Sequence, residues 1–276
     1  MIRAGVMGWP VEHSRSPILH RFWLQEHGID GEYVLLPVRP EELEGALRSL
    51  GPRGFAGCNL TLPHKAAAFP FLEEIEPAAR RLGAVNTVIV QRGGALLGRN
   101  TDGEGFLAHL RQAAPAWRAD AGPAVVLGAG GAARAVVAAL LGAGVTALRL
   151  VNRHRERALA LAASLGGPII VADWAERNAA LTDAALLVNA TSLGQNGQPP
   201  LVLALDDLPR TAVVDDLVYV PLETALLGAA RRRGNPVVDG LGMLLHQARP
   251  AFAAWFGIMP EVTPALRAAV AATLAP

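Results

Sequence analysis

A glycine-rich turn between an apolar run and a helical segment is the strongest chemical signal in the sequence. Residues 128–133 read Gly-Ala-Gly-Gly-Ala-Ala, after a strand-like run and before a stretch rich in Ala, Val and Leu. Gly128 permits a tight turn, Gly130 lets a bound group approach the backbone, and Ala133 lets the helix pack on the strand. Free N–H groups and the positive dipole end at such a helix start attract phosphate. The spacing predicts a dinucleotide-binding loop.

A basic stretch follows the next predicted strand and indicates which dinucleotide binds. Residues 152–157 read Asn-Arg-His-Arg-Glu-Arg, whereas an NAD site usually has a carboxylate there for the ribose hydroxyls. Guanidinium groups bind a 2′-phosphate, and Arg153 and Arg157 are spaced to share a face of a starting helix. We therefore expect NADP(H) rather than NAD(H). The alternative is a solvated charge run in which Glu156 pairs with a neighbouring Arg.

Lys65 is the only lysine in the chain, since the other 24 of the 25 basic residues are Arg. Arginine stays charged and cannot exchange a proton near neutral pH, whereas a lysine can when its surroundings lower its pKa. A lysine that persists in so arginine-rich a composition is a candidate acid or base. Chance retention of one surface lysine is the alternative.

Polar side chains cluster at the ends of apolar strands, where open α/β sheets bind ligands. Each has a structural alternative: Ser16, for example, can cap a helix that has Pro17 at its first position. Together they describe a pocket that suits a small polyhydroxylated substrate. The clustered residues are Ser14, Ser16, Asn59, Thr61, Lys65, Asn86 and Asp102.

Composition excludes several classes of protein. The 276 residues are 51% hydrophobic and 18% charged, with a net charge of +1, which gives no electrostatic reason to expect nucleic-acid or membrane partners. Cys58 is the single cysteine, and the chain shows no signal-peptide pattern, so we expect a cytoplasmic protein. The His residues are scattered, so no metal site is expected.

A series of short motifs runs in order along almost the whole chain. They are Gly8–Val11 with His13–Pro17, Asn59–Lys65, Gly83–Val88, Gly98–Asp102, the glycine loop, Asn152-Arg153, Asn189–Ser192, Tyr219–Pro221, and Asp239–Met243 with Gln247-Ala248. In these motifs the chain resembles the shikimate dehydrogenase family. The resemblance implies NADPH-dependent reduction of 3-dehydroshikimate to shikimate in aromatic amino-acid biosynthesis, with Lys65 as catalytic acid/base and Asp102 as its partner.

The same resemblance extends the predicted binding sites. The implied substrate-binding residues are Ser14, Ser16, Asn59, Thr61, Lys65, Asn86, Asp102, Tyr219 and Gln247. The implied cofactor-binding residues are Gly128, Ala129, Gly130, Gly131, Ala132, Asn152, Arg153, His154, Arg155, Arg157, Thr191, Leu217, Gly240 and Met243. His154 stands where many relatives have Thr, so its role is open.

The alternation of helices and strands predicts an α/β protein of two domains. Residues 1–102, completed by C-terminal helices in 243–276, are expected to form an N-terminal α/β substrate domain. Residues 103–242 are expected to form a Rossmann-type, parallel-sheet NADP-binding domain. Whether the protein is a homodimer is left open.

Two further functions remain open at this level. One is a related dehydrogenase of broader specificity that accepts quinate, since one hydroxyl group is a fine distinction. The other is a catalytically silent NADP-binding sensor, against which the intact Lys65 and Asp102 argue.

Overall fold

The computed structural model describes residues 1–274, and it divides into two compact units. Unit 1 contains Met1–Thr101 and Gln247–Thr273, and the main part of unit 2 is Asp102–His246. Residues 275–276 of the predicted C-terminal segment lie outside the described residues. What each unit binds stays a prediction at this stage.

Strands and helices alternate along both units, and all are numbered in chain order. The strands are β1 Ile2–Gly8, β2 Gly31–Pro37, β3 Phe55–Leu60, β4 Glu74–Ile75, β5 Thr87–Val90, β6 Leu96–Arg99, β7 Ala124–Leu127, β8 Leu148–Asn152, β9 Ile169–Asp173, β10 Leu186–Asn189, β11 Val213–Asp216 and β12 Val237–Asp239. The α-helices are α1 Ser16–Glu26, α2 Leu43–Arg48, α3 His64–Ala67, α4 Pro77–Leu82, α5 Asp102–Ala113, α6 Gly131–Gly142, α7 Arg155–Leu165, α8 Ala225–Arg233, α9 Gly240–Phe256 and α10 Pro264–Ala271. The predicted α/β class is confirmed.

Unit 1 is built on a mixed sheet in the order β2-β1-β3-β5-β6-β4. Strand β1 pairs in parallel with β2 and β3, whereas β5 is antiparallel to β3 and β6. Strands β5 and β6 form a hairpin whose turn contains Gly93 and Gly94, and both glycines adopt φ of +91°. Side chains such as Met7, Leu47 and Leu60 fill the core between this sheet and its helices.

Unit 2 has an all-parallel sheet in the order β12-β11-β10-β7-β8-β9. Numbered within the unit, this is the 3-2-1-4-5-6 order of a doubly wound dinucleotide-binding fold, as predicted. Both faces are covered: Val126 and Val188 belong to one apolar core, and Val125 and Leu187 to the other. The strand order reverses between β7 and β10, so the crevice at that switch point opens beyond the carboxyl end of β7.

Two local predictions are wrong. Ser16 does not cap α1: it is the first helical residue, and the capping position is held by Arg15 without a side-chain bond. Arg153 and Arg157 do not share a helix face, because α7 starts at Arg155 and His154 is the N-cap.

Candidate active site

The turn after β7 has the geometry that its glycines predict. Gly128 has φ of +112°, and a Cβ there would lie 2.8 Å from the carbonyl oxygen of Ala190. Only glycine fits this conformation and this close approach. Ala133 is fully buried in the core beside β7, as the predicted helix packing requires.

The start of α6 is an open cradle of backbone. Gly130 is its N-cap, and a Cβ at Gly130 or Gly131 would meet nothing within 4 Å. Ala129 and Ala132 lie beside these two glycines in the same turn. The first N–H groups of a 12-residue helix are therefore accessible to an anion, so these residues fit the pyrophosphate of a dinucleotide.

The basic stretch after β8 contains both paired and unpaired cations. Arg155 Nε lies 2.9 Å from Asp173 Oδ1, so this guanidinium is engaged by a carboxylate of β9. Arg153 and Arg157 have no ion pair within residues 1–274. His154 Nδ1 lies 3.7 Å from Glu156 Oε1, and Asn152 Nδ2 donates to the His154 carbonyl oxygen at 2.9 Å. The two unpaired guanidinium groups fit a 2′-phosphate, and Arg155 is the least available of the three.

Residues at the carboxyl ends of β10, β11 and β12 are held together by hydrogen bonds and by a close approach of their backbones. Thr191 donates from its backbone N and its hydroxyl to Asn189 Oδ1, at 3.1 and 2.7 Å, and Leu217 N donates to the Asn189 carbonyl oxygen at 3.0 Å. A Cβ on Gly240 would lie 2.1 Å from the Leu217 carbonyl oxygen, so this position requires glycine. Met243 packs against the apolar core on the same side. The structure thus groups four predicted cofactor residues from distant parts of the chain.

A carboxylate network behind these strand ends was missed by sequence reasoning. Asp216 accepts from Asn189 Nδ2 at 2.8 Å, from the Thr224 hydroxyl at 2.7 Å and from Val218 N at 3.1 Å. Burial raises the pKa of Asp216, and the three hydrogen bonds offset part of that rise. Thr224 also caps α8 by accepting from Leu227 N at 3.2 Å. The network orders the loop that contains Tyr219. An aspartate at a strand end before a Ser/Thr helix cap was the available signal.

In unit 1 a second buried network joins the predicted amide and hydroxyl groups. Asn86 Nδ2 donates to Thr101 Oγ1 at 3.0 Å and to Gln247 Oε1 at 3.3 Å. The Thr101 hydroxyl donates to the Gln247 carbonyl oxygen at 2.8 Å, and Asn59 Nδ2 donates to the Asn86 carbonyl oxygen at 3.0 Å. Asn59, Asn86 and Gln247 are therefore brought together although they lie far apart in sequence.

Lys65 lies on the four-residue helix α3, directly after the end of β3. Backbone bonds hold this helix: His64 N donates to the Thr61 carbonyl oxygen at 2.9 Å, and Val85 N donates to the Lys65 carbonyl oxygen at 2.7 Å. The His64 ring contacts the Val38 carbonyl oxygen through Nε2 at 2.8 Å. Lys65 is half-buried in unit 1, whereas Asp102 is the first residue of α5 in unit 2. Their pairing stays a prediction.

The serine hydroxyls lie at the start of α1. Ser14 Oγ accepts from the backbone N of Ser16 at 3.3 Å, and Ser16 itself is buried. Thr61 begins the turn after β3, and its backbone N donates to the Met7 carbonyl oxygen at 2.9 Å. A Cβ on Gly8 would lie 2.4 Å from Thr61 Cγ2, so glycine at that position makes room for the threonine.

The described residues were also compared with the requirements of a metal site, of a cysteine nucleophile and of a membrane-spanning helix. No cluster of three His, Cys, Asp or Glu side chains in residues 1–274 could hold a metal ion. Burial raises the pKa of the Cys58 thiol to about 12, so this residue is not an activated nucleophile. Over the same range, no helix combines the length and apolar character needed to cross a bilayer.

Three family models match successive parts of the chain. Residues 6–88 match the shikimate dehydrogenase substrate binding domain, residues 113–196 match shikimate / quinate 5-dehydrogenase, and residues 240–270 match the shikimate 5′-dehydrogenase C-terminal domain. The three matches follow the order of the motifs recognised in the sequence.

Similar proteins give the same result over the full chain. The shikimate dehydrogenase (NADP(+)) of Paramagnetospirillum magneticum is 60% identical over 267 residues, which is 97% of each chain. The shikimate 5-dehydrogenase of Thermus thermophilus, solved in complex with NADP(H) and shikimate, is 41% identical with a TM-score of 0.87 and covers 100% of both chains.

The fold is also shared with a relative named for another substrate. The quinate dehydrogenase of Corynebacterium glutamicum, solved in complex with NAD, has a TM-score of 0.90 at 33% identity and covers 97% of this chain and 98% of its own. Fold alone therefore does not separate the two specificities. With the three family models and a relative at 60% identity, this chain belongs to the shikimate dehydrogenase family.

Proposed function

We propose that this protein catalyses the reversible NADPH-dependent reduction of 3-dehydroshikimate to shikimate. The observation that carries the proposal is the network of amide and hydroxyl groups around Asn59, Asn86 and Gln247, which lies in the unit that contains the substrate-binding-domain match. Such groups donate to and accept from a polyhydroxylated ring. Unit 1 is then the substrate domain and unit 2 the NADP(H) domain.

In this proposal unit 2 holds the cofactor by its backbone and by two arginines. The N–H groups around Gly130 and Gly131 bind the pyrophosphate, and Arg153 and Arg157 bind the 2′-phosphate. Thr191, Leu217, Gly240 and Met243 surround the nicotinamide end. When bound, the dihydronicotinamide supplies a hydride to the substrate carbonyl carbon.

Lys65 supplies the proton that the reaction needs. Reduction of a ketone develops negative charge on its oxygen, and the Lys65 ammonium donates a proton to that oxygen as the alcohol forms. In the reverse direction the neutral amine accepts the hydroxyl proton. We assign Asp102 the role of holding the ammonium and contacting the neighbouring substrate hydroxyl.

The remaining site residues bind and orient the ring. Ser14, Ser16, Thr61, Tyr219 and Gln247 contact the carboxylate and hydroxyl groups, and Asn59 and Asn86 keep the polar wall of the pocket in place. A site that hydrogen-bonds each substrate hydroxyl discriminates strongly against an analogue that lacks one, because its own buried groups are then unpaired.

Substitution of Lys65 tests the chemical role. In Lys65→Met and in Lys65→Arg we expect kcat for shikimate oxidation to fall by about 10²- to 10⁴-fold, because neither side chain exchanges a proton at neutral pH. Dissociation constants for NADPH, measured by fluorescence titration, should stay unchanged. Lys65→Arg is the matched control for charge: near-normal kcat in that variant would mean that the positive charge, and not proton transfer, is what Lys65 provides.

Purified wild-type protein distinguishes the remaining functions. We expect turnover with shikimate and NADP. We expect little turnover with NAD, because Arg153 and Arg157 have no ion pair and no carboxylate stands at the end of β8. Quinate is the matched acid that tests the specificity for shikimate. Comparable rates with quinate and NAD would favour the broader specificity of the quinate relative. Tight NADPH binding without turnover of either acid would favour the sensor.

Two further expectations belong to the proposal. We place the protein in the cytoplasm, because a single cysteine is typical of a protein that works in a reducing compartment. We expect no nucleic-acid or membrane partner, and sedimentation velocity would decide between monomer and homodimer.

A further inference from the structure

The side-chain amide of Asn86 has its polarity fixed by the backbone of unit 1. Its Oδ1 accepts from the backbone N of Thr101 at 3.0 Å and from the Thr87 hydroxyl at 2.9 Å. A backbone N–H can only donate, so the amide atom that faces it must be the oxygen. Asn86 is 2% exposed and Thr101 is 1% exposed, so these groups depend on each other as partners. Nδ2 is therefore the donor end of the Asn86 amide.

The donor end of Asn86 faces Gln247. Its Nδ2 lies 3.3 Å from Gln247 Oε1 and 3.0 Å from Thr101 Oγ1. Because Nδ2 has only protons to offer, the atom of Gln247 that it meets must be the oxygen. Nε2 is then the other end of the Gln247 amide, and it can only donate. The polarity of Gln247 thus follows, through Asn86, from the backbone N–H of Thr101.

The Thr101 hydroxyl also holds the main chain of Gln247. Its Oγ1 lies 2.8 Å from the Gln247 carbonyl oxygen and 3.2 Å from Asn86 Oδ1. The single hydroxyl proton goes to the nearer acceptor, which leaves the Oγ1 lone pairs to accept from Asn86 Nδ2. Thr101 therefore contacts Gln247 directly at the main chain and through Asn86 at the side chain, although Thr101 and Gln247 lie 146 residues apart.

We propose that Thr101 is a positioning residue for substrate recognition, which holds Gln247 so that its Nε2 donates to an oxygen of the substrate. The inference rests on the proposed function, in which Gln247 contacts the substrate. It also assigns the direction of that contact: the substrate atom that meets Gln247 is an acceptor, as a carboxylate oxygen or the lone pairs of a hydroxyl group are.

Removal of the hydroxyl group in Thr101→Val tests the positioning role. Valine has nearly the shape of threonine and keeps the backbone N–H, so we expect the variant to fold. KM for shikimate should rise about five- to tenfold, with kcat changed less than about twofold, because the Gln247 carbonyl oxygen loses its donor. Thr101→Ser keeps the hydroxyl group, and its KM should stay within about twofold of the wild-type value.

Thr87→Val is the matched control for a purely structural effect. Thr87 is 0% exposed, and its hydroxyl donates to Asn86 Oδ1 at 2.9 Å and accepts from Asn59 Nδ2 at 3.1 Å. Its removal leaves the Thr101 N–H on Asn86 Oδ1 and both contacts to Gln247 in place. We expect the midpoint of urea unfolding to fall in both valine variants, and KM for shikimate to rise only in Thr101→Val.

A double-mutant cycle shows whether Thr101 acts through Gln247. In a Gln247→Met background, Thr101→Val should change KM for shikimate less than about twofold, because the amide that it positions is gone. Ser14→Ala provides the control background, since the described contact of the Ser14 hydroxyl oxygen is with the Ser16 backbone N. In that background the full effect of Thr101→Val, about five- to tenfold, should persist.

Nuclear magnetic resonance of the ¹⁵N-labelled protein tests the direction of the contact. The Nε2 signal of Gln247 is identified by its loss in Gln247→Met. On addition of shikimate, one Nε2 proton should move downfield, because a proton given to a hydrogen bond is deshielded. The shift should be smaller in Thr101→Val, in which Gln247 is held less firmly.

Three results would overturn the inference while wild-type turnover of shikimate keeps the proposed function. They are additive effects in the Gln247→Met background, equal changes of KM in Thr101→Val and Thr87→Val, and a Gln247 Nε2 signal that does not move with shikimate. If Thr101→Val does not fold, the Nε2 signal of the wild type decides the matter. Wild-type protein without shikimate turnover would overturn the proposed function and this inference together.

Discussion

His20 in unit 1 and Asp215 in unit 2 are ionisable side chains buried in comparable ways, with opposite consequences. His20 is 0% exposed and Asp215 is 1% exposed. Within residues 1–274, neither His20 ring nitrogen has a hydrogen-bond partner, and Asp215 Oδ1 has none either. The two residues differ mainly in which protonation state is neutral.

Burial favours the neutral form of each group. It lowers the pKa of His20 from 6.5 to about 3, so the stacked imidazole stays uncharged near neutral pH. It raises the pKa of Asp215 well above 3.8, and repulsion from Asp216 and Asp239 adds to that rise. Between its shifted and its ordinary pKa, His20 is therefore deprotonated in the folded chain and protonated in the unfolded chain. For Asp215 the reverse holds: the folded chain keeps the proton that the unfolded chain has released.

The signs of the two pH effects are opposite. The contribution of His20 to the free energy of unfolding is fully present above pH 6.5. It is lost as the pH falls toward 3, because the unfolded chain then binds a proton that the folded chain does not. The contribution of Asp215 to the free energy of unfolding is fully present below about pH 3.8. It is lost as the pH rises, because the unfolded chain then releases a proton that the folded chain keeps. Where the two pH ranges overlap, the two changes in the free energy of unfolding with pH cancel. A free energy of unfolding that does not change with pH can therefore conceal two buried groups with shifted pKa values.

Asp216 is the case that sharpens the comparison most, since it is buried beside Asp215 but has three hydrogen-bond donors. Asp216→Ala leaves the Thr224 hydroxyl without its acceptor, and the Asn189 amide keeps only its bond to the Leu193 carbonyl oxygen. We expect a loss of about 3 kcal/mol in the free energy of unfolding, measured by urea titration at pH 7. Asp207→Ala, at an exposed aspartate, is the control and should change it by less than about 0.5 kcal/mol. Equal small losses in both variants would mean that the Asp216 network adds nothing to stability.

The His20 ring is stacked on Tyr33 with centroids 3.9 Å apart, and His20→Phe removes the titrating ring while it keeps an aromatic ring at this place. The wild type loses ~1.4 kcal/mol per pH unit below 6.5 through this residue, so we expect the variant to resist acid better by about 2 kcal/mol at pH 5. The measurement is the free energy of unfolding at pH 7 and pH 5, with exposed His13→Gln as the control. An unchanged difference between the two pH values would show that His20 is protonated in the folded protein.

Asp215→Val replaces the carboxyl by a side chain that suits its face of β11, which it shares with Val213 of the apolar core. Relative to wild type, the free energy of unfolding of the variant should rise by up to about 1.4 kcal/mol between pH 4.5 and 5.5. The double variant with His20→Phe should restore the wild-type slope, because both linked protons are then removed. A double variant whose slope follows only one of the single variants would mean that the two units unfold separately.

Much of the fold and the conformation of the glycine turn after β7 could be predicted from the sequence. The β7–α6–β8 unit, the β5–β6 hairpin and α7 follow from apolar periodicity and from glycines at fixed offsets, which are local signals. Strand β4 could not be predicted in this way, because Glu74 and Ile75 are extended only by pairing with β6. The prediction that Arg153 and Arg157 share a helix face was wrong for a related reason. The start of a helix depends on its capping environment, and α7 begins two residues after Arg153.

Local sequence was sufficient for the glycine turn after β7 and for the family, because residue type and spacing specify backbone conformation over short distances. The role of Lys65 stays a prediction. Only the folded chain decides which polar groups are partnered and which carry charge. The Tyr33–Asn59 bond joins residues 26 apart, and the Asn86–Gln247 bond joins residues 161 apart. Burial and hydrogen bonding arise from such distant neighbours. These two quantities set the protonation of His20 and Asp215 and the orientation of the Asn59 amide.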